Sequence, residues 1–412
     1  MAGKSAMSRR GFLALGGAGL VAPYALTSGA LGAQGQPPAS DQVAVGMIGC
    51  GGRGGGLGCG RVLAVCDTWR NRRENLAQRM GATPHADFRE LLDRKDLDAV
   101  TIGTPDHWHV PIAVAAAKAG KDMYVEKPLG VSIHEDLVCR QAVRRYGRIF
   151  QYGTQQRSSA HCRYGCELVR NGRIGEVKEI IVIAPNSGPG GNTKPMPVPE
   201  GLDYDLWLGP ARWTPFTGCP LGGGNWYHCY DYALGFIAGW GAHPLDILVW
   251  GYDIHKAGIW EVEATGKIAS EGRHDAVYDW DVRITFGNGV RLRFTPGGDH
   301  TRFIGTQGWV GISRGYLKAE PEELLKSPIG PDEIHLPVSH SHGGNFLEAV
   351  RTRVDPVSFI EDAVRSDLVS HVGDLAVRLG RKLRWDPVKE QFLDDPDANR
   401  LMRRPMREPW AL

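Results

Sequence analysis

The chain has 412 residues, of which 42% are hydrophobic and 23% are charged. A single hydrophobic core stops growing at roughly 250 to 300 residues, so the length and composition predict two globular domains and exclude an extensively disordered chain. Lys and Arg number 48 against 46 Asp and Glu, which leaves a formal net charge of +2. No strong field is therefore available to attract nucleic acid or an anionic lipid surface, and a small neutral substrate fits this balance.

The first 40 residues have the pattern of an export signal. Arg9 and Arg10 precede a short, weakly apolar run at 14–22, which resembles a twin-arginine (Tat) signal. A membrane-spanning helix needs roughly 20 apolar residues, so we expect no stable membrane anchor. Residues 1–40 are interpreted as a signal and linker that the Tat export machinery recognises, with the mature protein periplasmic or otherwise exported. Cleavage after Ala30 and cleavage after Ala33 both fit the sequence.

Residues 41–155 alternate short β-branched runs with helical stretches. This rhythm predicts parallel strands joined by helical crossovers, in a doubly wound α/β sheet of the Rossmann type. The predicted strands are 43–48, 62–66, 99–102, 123–125 and 149–152, and the predicted helices are 69–80, 110–119 and 133–146.

Residues 156–412 follow a different rhythm, with short turn-rich connections between apolar runs. This pattern predicts an α+β domain with a largely antiparallel open sheet. Its predicted helices are 159–169, 344–353 and 363–379, its predicted strands are 177–183, 260–265, 278–286, 290–294 and 301–311, and a basic tail packs back over both domains or a neighbouring subunit. An exposed face on such an open sheet would favour a homo-oligomer, either a dimer or a tetramer.

Eight cysteines are present, and an export route permits disulfides. Cys162 and Cys166 are four residues apart beside His161 and could form half of a metal site. No second Cys or His pair with ligand spacing accompanies them, so we expect buried core thiols and no metal.

A glycine-rich turn follows the first predicted strand. It satisfies the G-x-G-x-x-G pattern of a dinucleotide-binding turn with Gly49, Cys50, Gly51, Gly52, Arg53 and Gly54. Glycine lets the backbone approach a pyrophosphate closely. Asp67 ends the second strand, where a carboxylate binds the adenosine ribose hydroxyls and disfavours a 2′-phosphate, so NAD is expected rather than NADP. The nearby Arg70 weakens that preference.

The first crossover is unusually short. Only residues 52–60 join the first two strands, whereas a strand–helix–strand crossover usually needs at least about 10 to 12 residues. The first helix is therefore expected to shrink to about one turn or to become a loop. Weakened pyrophosphate binding, or a turn without any ligand, stays open at this point.

Three motifs at successive strand ends resemble the Gfo/Idh/MocA oxidoreductases, a family that includes glucose-fructose oxidoreductase and inositol dehydrogenase. They are the glycine turn, the segment Thr104, Pro105, Asp106, His107, Trp108 and His109, and the segment Glu126, Lys127 and Pro128. Later segments at 153–158, 230–232, 239–246, 379–385 and 404–406 are similar to exported members of the family. The resemblance covers nearly all of residues 41–412.

The resemblance implies roles for individual residues. Lys127 is implied as the acid/base group for a substrate hydroxyl, with a pKa lowered by burial or by the cofactor cation, and His243 as a second acid/base residue from the other domain. Glu126 is implied to contact the nicotinamide ribose. The other residues implied to bind the cofactor are Thr104, Pro105, His107, His109, Gln155 and Arg157.

The second domain supplies further candidates and one departure from the family pattern. Asp246 could orient His243 from one helical turn away, or cap that helix. Many relatives have Asp four residues before this His, where this chain has Gly239, so a relay through that carboxylate is absent or comes from elsewhere, for example Asp231. Tyr230, Asp231, Tyr232 and Asp246 are candidates for substrate binding, with ordinary packing as the alternative for the two tyrosines.

The aromatic segment 185–232 is long for an irregular connection, and such segments are usually lids or oligomer arms. Its flat rings, from Trp207, Trp213, Trp226 and Tyr227, suit carbohydrate faces or subunit packing equally well. The sequence as a whole predicts an NAD-dependent oxidoreductase that acts on a hydroxyl of a sugar, glycoside or cyclitol. Two alternatives stay open: an NAD-dependent glycosidase that oxidises its substrate transiently, and a non-catalytic periplasmic carbohydrate-binding protein.

Overall fold

Two β-sheets with packed helices make up the fold. A computed structural model describes residues 42–218, 221 and 225–412, so the predicted signal and linker lie outside the described residues. The strands are β1 (Ala44–Ile48), β2 (Arg61–Cys66), β3 (Thr83–His85), β4 (Ala99–Ile102), β5 (Asp122–Val125), β6 (Phe150–Tyr152), β7 (Val177–Ala184), β8 (Trp260–Ile268), β9 (Val277–Phe286), β10 (Arg291–Pro296), β11 (His300–Gly305), β12 (Trp309–Ile312), β13 (Leu317–Glu320), β14 (Leu383–Asp386) and β15 (Gln391–Phe392). The α-helices are α1 (Arg70–Met80), α2 (Phe88–Leu92), α3 (His109–Lys118), α4 (Ile133–Arg145), α5 (Ala160–Arg170), α6 (Tyr204–Leu208), α7 (Phe236–Gly239), α8 (Ala242–Gly251), α9 (His342–Thr352), α10 (Ile360–Leu379) and α11 (Pro396–Leu401). Within these ranges, no helix combines the length and the apolar character that a membrane span requires.

The first sheet is parallel and has the strand order β3-β2-β1-β4-β5-β6. Strands β4 and β5 are buried along their whole length, as expected for parallel strands covered by helices on both faces. The predicted Rossmann sheet is therefore confirmed. The strand order reverses between β1 and β4, and this switch point is where doubly wound sheets bind ligands.

Capping residues set the ends of the crossover helices. Ser132 precedes α4 and its hydroxyl accepts a hydrogen bond from the Glu135 N–H, while Arg144 and Arg145 lie in the last turn of that helix. These positions satisfy free backbone groups and complement the helix dipole.

The crossover between β1 and β2 contains one 3-10 turn, Gly54–Gly56, in place of a helix. This confirms the shortening expected from the sequence. Since the turn still directs the glycine-rich backbone across the carboxyl ends of β1 and β4, the switch point is left open.

The second sheet has the strand order β13-β12-β11-β7-β10-β9-β8-β14-β15. Its described neighbours pair antiparallel except for β7 and β10, which are parallel. The predicted α+β fold with a largely antiparallel sheet is confirmed. The single strand predicted at 301–311 is wrong, because the chain turns at Gly305–Gly308 and forms β11 and β12.

Long-range packing connects the two sheets. Helix α10 is buried along most of its length and contacts both α4 and β8. The C-terminal Trp410 lies with its ring centroid 4.8 Å from that of Trp108 and so packs against the Rossmann sheet's helices. Cys162 and Cys166 are buried in the core under the second sheet.

Candidate active site

One cavity of about 580 Å³ follows the carboxyl edge of the first sheet. This volume lies within the range of small-molecule and cofactor sites, roughly 300 to 1,000 Å³. The glycine turn forms one end of the cavity, and residues that follow β4 and β5 form its floor. Side chains of the second domain close the other end, namely Tyr227, Trp240, His243 and Arg314.

The glycine turn is held against β4 by contacts that leave no room for side chains. A Cβ on Gly54 would lie 2.3 Å from the Gly49 carbonyl oxygen, and Gly49 itself has a φ of +93°. A Cβ on Gly52 would meet nothing within 4 Å. The turn therefore combines a closed inner side with an open side, and Gly49, Gly51, Gly52, Arg53 and Gly54 all line the cavity.

Asp67 lies at the adenosine end of the cavity predicted from the sequence. Its carboxylate accepts hydrogen bonds of 2.8 Å from the backbone N–H groups of Cys50 and Trp69, which ties the glycine turn to the end of β2. Each oxygen keeps a further lone pair for a ribose hydroxyl. Arg72, which the sequence analysis missed, lines the cavity here with its guanidinium 4.7 Å from the centre of the Trp69 ring.

Glu126 anchors the middle of the site. It is 4% exposed, and its Oε1 accepts hydrogen bonds from Arg53 Nε at 2.9 Å and from Gln155 Nε2 at 3.1 Å. These bonds connect the glycine turn, the end of β5 and the segment after β6. Arg53, Glu126 and Gln155, all predicted to contact the cofactor, are thus brought together in one cavity.

The segment after β4 divides into lining and packing residues. Thr104, Pro105 and His109 line the cavity, and the His109 ring is fixed between the carbonyl oxygens of Pro128 at 2.7 Å and Thr104 at 2.9 Å. The prediction for His107 is contradicted. Its ring lies outside the cavity lining and packs against Trp207, whose carbonyl oxygen is 3.1 Å from Nε2.

Lys127 and His243 line the same cavity although Lys127 follows β5 and His243 lies in α8 of the second domain. Lys127 Nζ donates a 2.6 Å hydrogen bond to the Gly239 carbonyl. Burial lowers the pKa of Lys127, against the opposing effect of Glu126 and Asp106. His243 is 4% exposed, and burial together with the nearby Lys127 charge lowers its pKa well below the usual value. At neutral pH the imidazole is therefore uncharged.

Arg157 and Asp246 have a structural role in place of the predicted ones. Arg157 donates two 2.8 Å bonds to the Asp246 carboxylate and a third to Asp362. Asp246 is fully buried and Arg157 is 3% exposed, and neither lines the cavity. Asp246 therefore pairs with Arg157 and does not orient His243, and Arg157 does not complete the cofactor cleft.

The predicted substrate contacts at 230–232 are also contradicted. The Tyr230 ring lies between the guanidinium groups of Arg378 and Arg404, at 3.3 and 3.5 Å. Asp231 forms ion pairs with Arg212 and Arg273. Tyr232 is fully buried, with its ring 4.9 Å from that of Trp207. All three pack the second domain outside the cavity lining, so Asp231 does not replace the carboxylate missing at Gly239.

The aromatic segment does supply part of the wall. Trp207, Trp226 and Tyr227 line the cavity, and the Trp226 and Tyr227 rings stack with centroids 3.7 Å apart. Trp213 is 59% exposed and lies elsewhere. Lys127 Nζ lies 5.8 Å from the centre of the Tyr227 ring.

Sequence reasoning missed Asp106 and Arg314. Asp106 is 1% exposed and lines the cavity directly after Pro105. Its position immediately after a strand-end Thr–Pro pair is a signal that could have identified it. Arg314 lies in the turn between β12 and β13, 5.2 Å from the centre of the Trp240 ring, and no motif marks it in the sequence.

A parallel sheet with a glycine turn at its switch point, an acidic residue after β2 and a facing second domain are together typical of a dinucleotide-binding protein. The chain belongs to the Gfo/Idh/MocA oxidoreductase family. Residues 43–154 match the family's NAD-binding Rossmann fold, and residues 188–412 match its C-terminal alpha/beta domain.

Curated relatives match over part of their length. The Glycosyl hydrolase family 109 protein 2 of Shewanella sp. (strain ANA-3) is 39% identical over 24% of this chain and 26% of its own length. The alpha-N-acetylgalactosaminidase of Shewanella oneidensis is 30% identical over 34% of each chain. The chain thus spans about a quarter to a third of the length of these curated relatives.

The solved structure of the WlbA dehydrogenase from Bordetella pertussis, in complex with NADH and UDP-GlcNAcA, has a TM-score of 0.63. It is 16% identical and covers 83% of this chain and 97% of its own. This likeness supports a shared fold.

Proposed function

We propose that this protein oxidises a hydroxyl of a sugar, glycoside or cyclitol with NAD, and reduces the corresponding carbonyl in the reverse direction. The observation that carries the proposal is that Lys127, which follows β5, and His243, which lies in α8 of the second domain, line the cavity that the glycine turn opens. A hydroxyl placed between an amine and a neutral imidazole can lose its proton and be held by a second hydrogen bond.

The cavity fits a dinucleotide by its shape and donor set. The glycine turn offers backbone that a phosphate can approach, Asp67 offers acceptors for ribose hydroxyls, and Glu126 offers a carboxylate nearer the reacting end. Arg53 and Arg72 line the same region and supply positive charge for a pyrophosphate. When bound, NAD⁺ supplies an acceptor for the hydride of a carbinol carbon.

Lys127 is the proposed base. Burial lowers the pKa of its ammonium, which raises the fraction of neutral amine available at a given pH. Its hydrogen bond to the Gly239 carbonyl fixes Nζ in the cavity. The amine then accepts the hydroxyl proton, and in the reverse direction the ammonium returns it.

His243 is proposed to hold the reacting oxygen. Its pKa lies well below the usual value because of burial and the neighbouring cations, so the ring is uncharged at neutral pH. Its buried Nδ1 has no hydrogen-bond partner among the described residues. The neutral ring can therefore donate or accept one hydrogen bond toward a bound polyol.

The first test is turnover with NAD⁺ and a panel of aldoses, cyclitols and aryl glycosides, measured as NADH formation. Lys127→Met is expected to abolish turnover while NAD⁺ affinity, measured by calorimetry, stays within about threefold. Lys118→Met, an exposed lysine at the end of α3, is the matched control and should retain full activity. Mass analysis of nucleotide released by denaturation tests cofactor retention. A wild type that binds neither NAD⁺ nor NADH would contradict the proposal and favour the carbohydrate-binding alternative.

A second candidate is favoured by the relatives whose names denote glycosidases. The same lysine and imidazole would serve transient oxidation of a glycoside, elimination of the aglycone and return of the hydride. Release of aglycone from an aryl glycoside without net NADH would identify this activity. Net NADH formation without aglycone release would exclude it.

We also propose that the protein is exported by the Tat route, which the paired Arg9 and Arg10 before the apolar run support. Replacing both by lysine should hold the protein in the cytoplasmic fraction. A homo-oligomer is proposed because alternate residues along β8 and β10 remain exposed on the outer face of the second sheet. Light scattering of the purified protein tests it, with a monomer mass as the contrary result.

A further inference from the structure

Asp106 is a buried acidic residue of the cavity wall whose side chain makes no hydrogen bond to any described residue. It is 1% exposed, and both of its side-chain oxygens lack a hydrogen-bond partner among the described residues. Burying an unpaired carboxylate is costly, and native proteins rarely retain one without a use. Since Asp106 begins the 3-10 turn 106–108 and lines the cavity together with Lys127, its surroundings point to a role in the site.

We propose that Asp106 is a positioning residue that acts through Lys127, stabilising the ammonium that forms when Lys127 takes the substrate proton. This inference rests on the proposed function of the site. Many relatives have an Asp at the position of Gly239 in the second domain. In this chain the negative charge near Lys127 would come from Asp106 on the Rossmann side of the cavity.

The charges around Asp106 support this pairing. Burial raises the pKa of Asp106, Lys127 opposes that rise, and Asp367 and Glu126 add to it. On the lysine, Glu126, Asp106 and Asp367 favour the ammonium, while burial and Arg314 disfavour it. Lys127 therefore opposes the rise in the pKa of Asp106 that burial causes, and Asp106 in turn favours the charged lysine.

The proposed step is balanced in atoms and electrons. The substrate O–H bond breaks and its proton bonds to the neutral Nζ of Lys127. A bound NAD⁺ would accept the hydrogen of the carbinol C–H bond together with both bonding electrons, so that the alcohol would be oxidised to a carbonyl as NAD⁺ is reduced to NADH. The Asp106 carboxylate lines the same cavity as the new ammonium, and its negative charge would lower the free energy of the transition state in which that ammonium develops.

A substitution at Gly239 can place a carboxylate on the second-domain side of the cavity, opposite Asp106. Its carbonyl already accepts the hydrogen bond from Lys127 Nζ at 2.6 Å. A Cβ added at Gly239 would have Tyr227 Cδ1 as its nearest neighbour at 3.4 Å, which is ordinary van der Waals contact. A carboxylate introduced there would add negative charge on the residue whose carbonyl already contacts Lys127 Nζ.

The experiment compares wild type, Asp106→Asn, Gly239→Asp and the double variant D106N/G239D, using the panel substrate that the wild type oxidises fastest. Asp106→Asn should lower kcat by about 10- to 100-fold, with KM and NAD⁺ affinity changed by less than about threefold. The rising limb of its kcat–pH profile should shift to lower pH, because loss of the carboxylate disfavours the ammonium. The double variant should recover at least about tenfold of the lost kcat. Asp93→Asn, an exposed carboxylate of the same domain, is the control.

A second readout does not need a substrate. With lysine labelled at Cε and the Lys127 signal assigned from Lys127→Met, an NMR titration should show a lower pKa for Lys127 in Asp106→Asn by about one unit or more. Since the buried Asp106 side chain makes no hydrogen bond that the variant would lose, the melting temperature is expected to be unchanged or higher. Asp106→Ser serves as a second variant if the Asn variant folds poorly.

The outcomes separate the two proposals. Unchanged kcat, pH profile and Lys127 titration in Asp106→Asn would overturn the role of Asp106. Loss of kcat without any shift of the pH profile or of the Lys127 titration would also overturn it, since a packing defect predicts that result. If the wild type oxidises no panel member, the proposed function fails, and the NMR titration still tests the coupling of Asp106 to Lys127.

Discussion

Replacing Arg157 with Met tests whether this residue stabilises the fold or binds the cofactor. The side chain is 3% exposed and holds two carboxylates, Asp246 through two bonds and Asp362 through one, all at 2.8 Å. Breaking a buried ion pair by removing one partner costs about 3–5 kcal/mol, because the remaining charge is left without compensation. Burial raises the pKa of Asp362 to about 6 even beside the guanidinium, so part of the loss is relieved when this carboxylate takes up a proton.

The assay is urea unfolding followed by fluorescence, together with NAD⁺ calorimetry well below the unfolding midpoint. We expect the midpoint to fall by about 1 M or more and the NAD⁺ affinity of the folded fraction to stay within about threefold. Arg381→Met is the control, since that side chain is 43% exposed and pairs with Asp395, and it should cost less than about 1 kcal/mol. A variant with a normal midpoint and an NAD⁺ affinity reduced more than about tenfold would refute this reasoning and restore the cofactor role.

Three further perturbations have signs that follow from the structure. Asp67→Ser should reduce the preference for NAD over NADP by at least about tenfold, or 1.4 kcal/mol, because Arg72 then lies beside the ribose position without a competing carboxylate. Calorimetry with both cofactors measures this preference, and equal losses of affinity for NAD and NADP would argue against the reasoning. Gly54→Ala should weaken NAD⁺ binding more than about tenfold and lower the melting temperature, because the new Cβ would lie 2.3 Å from a backbone oxygen. Gly52→Ala, whose Cβ meets nothing within 4 Å, is its control for melting temperature, and equal melting temperatures for the two variants would count against the steric argument. Burial raises the pKa of Glu135 to about 7, so wild-type stability from this group falls as pH rises from about 4 through about 7. Glu135→Gln should therefore raise the free energy of unfolding by about 2–3 kcal/mol more at pH 8 than at pH 5, and an equal change at both pH values would contradict the shift.

The Rossmann half could be predicted from sequence because its strands are continuous buried runs that end in glycine, proline or acidic residues. Strand β4 agrees at both ends with the prediction of 99–102, and β1 differs by one residue. The second sheet was harder to delimit. Strands β13 and β15 have four and two residues, too few for an alternating pattern, and the turn that separates β11 from β12 carries apolar neighbours that hide it.

Whether a site residue could be predicted depended on how far apart in the sequence its contacts lie. Residues of the glycine turn and of the Glu126–Lys127 motif were found because local sequence fixes them at strand ends. Arg157 and Asp246 were misassigned because their pairing spans 89 residues, and pairing at that distance leaves no pattern in the chain. Tyr230 was misassigned because sequence shows an aromatic side chain but not the pair of guanidinium groups that encloses it.

The titratable groups discussed for the cavity comprise two neutral imidazoles and one amine, and the proposed proton transfer uses the amine. Burial lowers the pKa of His109 to about 4 and that of His243 well below its usual value, so both imidazoles are already neutral throughout the neutral range. Lys127 is the group among these three whose charge the proposed proton transfer changes. Oxidation of an alcohol releases one proton and needs the neutral amine, so its rate should rise with pH along a single ionisation, while carbonyl reduction needs the ammonium and should fall along the same ionisation. Because Glu126 and Asp106 favour the ammonium and burial disfavours it, the midpoint of that ionisation depends on carboxylates that come from the Rossmann side of the cavity.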